Sequence, residues 1–208
     1  TLISTVSNLI YPYLVRVDDE KYATYYTLMS DVLTFVSLMA MLAFYVAKFI
    51  VVHWLDKYEP SLYIASVLFG TVIFRTLIML VCGNYFKVLK MTKEYTKNNL
   101  FSIVLAFGLD LLAYLIFKDC NYIAYASLLA FIIWYIVTDF VFIKRLEIDI
   151  KTCLNRYICI TICLVLFYAL FRVSDIVAFI IYMIAAAVIC TVCFRKHIRE
   201  IINGKITG

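Results

Sequence analysis

Apolar residues gather into six long stretches along this chain: Tyr26–Val52, Ser61–Cys82, Asn98–Phe117, Tyr122–Ile143, Leu154–Phe171 and Ile176–Phe194. Each is roughly 18 to 27 residues, enough helix to cross ~30 Å of hydrocarbon at ~1.5 Å per residue. The pattern predicts an all-α integral membrane protein with six complete transmembrane helices. Thr1–Val15 is apolar too, but too short to span, and it runs into Arg16. It reads as a truncated transmembrane helix, the inner half of a longer one, and the chain as the C-terminal portion of a larger protein. Residues 16–208 then form the membrane domain, with 195–208 as a tail. Loops 118–121 and 172–175 are so short that the third and fourth spans, and the fifth and sixth, are expected as tight antiparallel hairpins. Tyr26–Val52 reaches about 40 Å if fully helical, so it must tilt or protrude.

Charge fixes an orientation. Lys and Arg number 19, and the loops take them unequally. Loop 16–25 has Arg16 and Lys21; loop 83–97 has Lys87, Lys90, Lys93 and Lys97; loop 144–153 with the start of the next stretch has Lys144, Arg145, Lys151 and Arg156. The tail adds Arg195, Lys196, Arg199 and Lys205. The alternate loops carry only Lys57, Lys118 and Arg172, and the remaining two, Lys48 and Arg75, lie inside spans. The positive-inside rule therefore places loops 16–25, 83–97 and 144–153 and the C-terminus in the cytoplasm. Composition agrees: 65% of residues are hydrophobic, against ~45–50% in ordinary globular chains. The net charge of +5 sits in the inner loops, where orientation and contact with membrane lipids account for it, so no nucleic-acid partner is expected.

The loops and cysteines add detail. Trp54 and Tyr58 in the outer turn 53–60 suit interfacial anchors. Loop 83–97 interleaves its lysines with Tyr85, Phe86, Val88, Leu89 and Met91. It is expected either to lie in the inner interface or to be a solvated basic linker. Asn98-Asn99 is expected to cap the next helix. Seven cysteines fall mostly inside apolar spans, so they read as small packing residues and no metal or cofactor is expected.

Charges inside a span ask for an explanation, because each costs ~2.5–3.5 kcal/mol on insertion scales. Arg75 is seven residues from Cys82 and Asp110 twelve from Asn98, a depth difference of roughly 7–8 Å. Three readings stand: the two pair between helices, Arg75 holds a phosphate or acidic sugar in a cavity, or Arg75 snorkels to the interface. In the first span Thr27, Asp31, Thr34, Leu38, Met41, Tyr45 and Lys48 recur at steps of three and four, so they share one face. That face either lines an aqueous path or packs against another polar helix, and Asp31 and Lys48 lie near its ends, within snorkelling reach. Ala106, Asp110 and Ala113, next to Gly108, form a small-residue face suited to close helix approach. Asp139, near the inner end of its span, is expected to face the interface or to pair with Lys144 or Arg145. No catalytic residue is assigned: His53 and His197 are the only histidines, on opposite sides, and the usual hydrolase and phosphate-loop motifs are missing.

Several segments in order carry a resemblance: Leu9-Ile10-Tyr11-Pro12-Tyr13-Leu14, then Asp18-Asp19-Glu20-Lys21, a long span, the turn Trp54-Leu55-Asp56-Lys57-Tyr58, another span, and Tyr85-Phe86-Lys87-Val88-Leu89-Lys90 leading into Asn98-Asn99-Leu100. Over residues 1–143 this is similar to the C-terminal lobe of polysaccharide (O-antigen) flippases of the multidrug/oligosaccharidyl-lipid/polysaccharide exporter superfamily. The hairpin Leu154–Phe194 fits members with extra C-terminal helices. The resemblance implies a flippase-type C-terminal bundle, facing an N-terminal lobe across a central cationic cavity. It implies transport of undecaprenyl-pyrophosphate-linked oligosaccharide from the inner to the outer leaflet of a bacterial inner membrane. Arg75 is then the candidate contribution of this lobe, with Asp110, Asp31, Thr34, Tyr45 and Lys48 as further cavity candidates. The alternative is a membrane polymerase or ligase of lipid-linked glycans, but its outer loops here (53–60, 118–121, 172–175) are too short for a catalytic domain. A third reading is a membrane scaffold without transport.

Overall fold

A computed structural model of the chain describes residues 10–195. Most of the partial helix 1–15, and the tail beyond Arg195 with His197, lie outside the described residues. Among the described residues the protein is all-α, with six helical runs long and apolar enough to cross a membrane: Asp19–Trp54, Asp56–Val88, Thr92–Phe117, Cys120–Arg145, Ile150–Arg172 and Asp175–Cys193. Mean hydropathy in their best windows is between 1.9 and 2.8, so the protein reads as a multi-pass membrane protein.

The helices are α1 (Tyr22–Ala40), α2 (Leu42–Trp54), α3 (Leu62–Thr76), α4 (Gly83–Val88), α5 (Thr92–Phe117), α6 (Cys120–Arg145), α7 (Ile150–Ala169) and α8 (Asp175–Cys193). A π-helical turn, Leu77–Cys82, joins α3 to α4. The first span breaks at Met41, whose N–H is shared between the Ser37 and Leu38 carbonyls at 3.2 and 3.3 Å. Every run extends past its apolar stretch at one end or both, because flanking polar residues continue the backbone ladder.

The chain divides into two compact units. The first comprises Thr1–Tyr26 and Pro60–Ile148, and so holds the start of α1 with α3 to α6. Its centre is aromatic. The Tyr26 ring lies 5.0 Å from Tyr85 and 5.3 Å from Phe142, and Phe86 lies 4.7 Å from Phe142. The third and fourth spans do form a hairpin, turned by Lys118 in the left-handed region (φ 52) and capped by the Asp119 carboxylate, which accepts from the Asn121 N–H at 2.9 Å.

Three expectations are corrected in this unit. Segment 83–97 is not a loop: Gly83–Val88 is helix with Asn84, Tyr85 and Phe86 buried, and α5 begins at Thr92. The two rings and the amide have somewhere to bury, which a linker would not give them. Asn98 is therefore inside a helix and does not cap one; its side-chain oxygen accepts from the Thr138 hydroxyl at 3.1 Å. Asp139 faces inward instead of pairing with Lys144 or Arg145. It is fully buried and accepts from the Tyr26 hydroxyl at 2.6 Å. On the small-residue face, Ala113 is buried and Asp110 accepts from Ser127 of α6 at 3.1 Å, while a Cβ on the neighbouring Gly108 would meet nothing within 4 Å. In the most apolar window of α5 only 6% of residues are buried.

The second unit comprises Thr27–Glu59 and Asp149–Gly208, holding most of α1 with α2, α7 and α8. Phe44, Tyr45, Phe167 and Tyr182 form its aromatic core, with Phe167 5.3 Å from Phe44, 5.4 Å from Tyr45 and 5.7 Å from Tyr182. Cys153, Cys159, Cys163 and Cys190 are buried cysteines, not disulfide-bonded, in the same unit. The Sγ atoms of Cys159 and Cys190 are 3.6 Å apart, a contact of helices α7 and α8 through small side chains.

Candidate functional site

The polar face of the first span turns out to be internal to the second unit. Asp31 pairs with Arg156 of α7, Nε to Oδ1 at 3.2 Å, with both side chains almost fully buried (6% and 0% exposed). The arginine also donates to the Cys153 sulfur at 3.5 Å. Arg156, counted as an inner-loop cation, is thus a core residue, and Asp31 does not snorkel. Thr34 is buried and donates to the Ser30 carbonyl one turn back at 2.7 Å. The buried Tyr45 hydroxyl donates to the Phe167 carbonyl at 3.2 Å. Lys48 does not snorkel either. Its Nζ lies 2.8 Å from Asp175, donates to the Phe171 carbonyl at 2.7 Å, and sits 5.1 Å from the Phe171 ring centre. Each of these four candidates already has a protein partner in its own unit. Three of them, Asp31, Tyr45 and Lys48, tie α1 and α2 to the α7–α8 hairpin.

Arg75 differs in kind. α3 buries Val67, Gly70, Thr71, Ile73 and Phe74, and the Phe74 ring lies 5.9 Å from Tyr135 of α6. Steps of seven and four put Leu68, Arg75 and Met79 on the opposite face, and all three are exposed. Arg75 is 13 residues from the Val88 end of its 33-residue run, or about 20 Å. Among the described residues no carboxylate comes within ion-pair distance of it. Asp110 instead faces α6, where the Ser127 hydroxyl donates to it at 3.1 Å. The expected Arg75–Asp110 pair is therefore not formed, because the two side chains leave their helices in different directions.

An arginine presented on the apolar outer face of a span, with no internal counter-ion among the described residues, has its five N–H donors available to something outside its own bundle. The planar guanidinium suits the paired oxygens of a phosphate. Two residues further on, the chain enters the π-helical turn, which closes at Gly83. A Cβ at Gly83 would lie 3.4 Å from the Ile78 carbonyl oxygen. Such widened turns recur at functional sites in helices. Sequence spacing pointed to Arg75 but missed Tyr26 as the partner of Asp139 and Arg156 as the partner of Asp31, both distant in the chain. No protein-family model, curated protein or solved structure matches this chain.

Proposed function

We propose that the chain is the C-terminal part of a transporter that flips undecaprenyl-pyrophosphate-linked oligosaccharide, an O-antigen or capsule repeat unit, across the bacterial inner membrane by alternating access. In this reading it is not an enzyme, and its C-terminus is cytoplasmic. The observation that carries the reading is Arg75: a cation near the middle of a span, exposed, with no internal counter-ion among the described residues. Holding it there costs about 2.5–3.5 kcal/mol on insertion scales. A diphosphate passing along that face would offset the cost, as would a polar face of an N-terminal lobe. Asp110, bonded to Ser127, leaves Arg75 free for that role, while Asp31, Thr34, Tyr45 and Lys48 are engaged within the second unit.

The experiment is Arg75→Gln in the complete protein. Glycan export falls while the amount of protein in the membrane stays normal. Wild-type export from a well-expressed Arg75→Gln strain removes Arg75 from the site, and with it the main support for the reading. A polymerase or ligase is the competing outcome, recognised by glycan units that reach the periplasm but stay unjoined.

A further inference from the structure

The first unit carries a second feature that neither the transport reading nor the candidate residues use. Where α4 and α6 end, an open pocket of about 590 Å³ is walled by Lys87, Lys90 and Arg145, by Asp19 and the rings of Tyr11 and Tyr22, and by the aliphatic Val15, Val88, Leu89 and Leu146. Three cations from two separate helix ends thus meet one carboxylate. That carboxylate, Asp19, shares the wall with Tyr22. Lys87, Lys90 and Arg145 are exposed, and none forms an ion pair with another described residue.

A cation at a helix C-terminus ordinarily needs no further explanation, because it offsets the helix dipole and binds the last carbonyls. Here the backbone has already done the second task. Met91 N–H bonds the Phe86 carbonyl at 2.9 Å and Lys90 N–H the Lys87 carbonyl at 3.1 Å, with Lys90 left-handed at φ 55. At the end of α6, Ile148 N–H bonds the Ile143 carbonyl at 3.0 Å and Glu147 is left-handed at φ 53. Both ends are closed by the same six-to-one backbone bond. The side chains of Lys87, Lys90 and Arg145 are left to face the pocket. Its depth is that of a span end, where lipid headgroups lie, and its wall mixes basic with aliphatic side chains. Basic pockets between transmembrane helices at this level are suited to multiply charged phosphate headgroups.

We propose that this pocket binds the headgroup of a membrane lipid carrying two phosphate charges, with Lys87, Lys90 and Arg145 on the phosphates and Val15, Val88, Leu89 and Leu146 against the first carbons of the chains. The inference does not depend on the transport reading. Its test is native mass spectrometry of the full chain in neutral detergent, titrated with cardiolipin and, separately, with phosphatidylcholine. Cardiolipin binds with a defined stoichiometry and phosphatidylcholine does not. The triple variant Lys87→Gln/Lys90→Gln/Arg145→Gln weakens cardiolipin by at least about tenfold, on the scale of several near-surface cations lost. The control Lys93→Gln/Lys97→Gln/Lys144→Gln removes equal charge outside the pocket and changes affinity less than about twofold. Asp19→Asn, which removes the one carboxylate, tightens binding and keeps the test alive if the triple variant folds poorly. Equal losses in the triple variant and its control overturn the pocket as the site. Displacement of cardiolipin by inorganic pyrophosphate at matching concentration overturns the lipid as the ligand.

Discussion

The ion pair between Asp31 and Arg156 yields the sharpest stability prediction. Both charges lie within the second unit, 3.2 Å apart, at 6% and 0% side-chain exposure. Neither can reach water without moving a helix. Removing one partner strands the other charge in an apolar interior, which costs about 3–5 kcal/mol in comparable buried pairs. Replacing both by apolar residues of similar size removes the attraction and the desolvation penalty together, which is often neutral or better. Asp31→Leu and Arg156→Met alone are therefore each strongly destabilising, whereas the double variant melts close to wild type. The assay is thermal unfolding in detergent followed with a thiol-reactive dye. It suits this protein because Cys82, Cys153, Cys159, Cys163 and Cys190 are buried and become reactive only on unfolding. At roughly 2–4 °C per kcal/mol for a chain of this size, each single variant melts about 6–20 °C lower. Single variants that melt within a degree or two of wild type refute the pairing. So does a double variant that loses the sum of the two singles.

Four single substitutions probe the rest of the fold. Tyr26→Phe removes the hydroxyl that donates to Asp139 at 2.6 Å and lowers stability by about 0.5–1.5 kcal/mol in the thiol assay, the net range for a hydrogen bond; an unchanged melt contradicts the bond. Glu147→Gly relieves a left-handed residue at φ 53 and raises stability by about 1 kcal/mol, whereas a lower melting temperature would show that the α6 terminus is held differently. Gly108→Ala adds a Cβ into open space and stabilises α5 by up to about 1 kcal/mol; loss of stability in the native membrane would reveal a partner against that face. Arg75→Gln leaves stability within about 0.5 kcal/mol of wild type, as for a side chain without internal partners, so a large loss would make Arg75 a structural residue.

Hydropathy located all six spans, because an apolar run long enough to cross a bilayer rarely has any other fate. It stopped short at the ends. Thr92–Lys97 is polar yet helical, since α5 runs on beyond its apolar stretch, and Gly83–Val88 is mixed yet helical, since Tyr85 and Phe86 find an aromatic core. Depth was legible from residue counts, but direction around the helix was not. Asp110 and Arg75 lie at reachable depths, yet Asp110 meets Ser127 of α6 while Arg75 is exposed. Asp139 looked like an interfacial residue by its distance from the span end, and is bonded instead to Tyr26, 113 residues away in the chain. Arg156 counted as a loop charge because its counter-ion is in another helix. The stripe along the first span was correctly one face, and what it faces, α7 and α8, required the fold.

Transport of a lipid-linked glycan is tested most directly by the sidedness of that glycan. In cells deleted for the gene, repeat units stay on the cytoplasmic leaflet, closed to periplasmic labelling, and return to the outer leaflet with the wild-type protein but not with Arg75→Gln. Units that reach the periplasmic leaflet in the deletion strain would contradict transport by this protein.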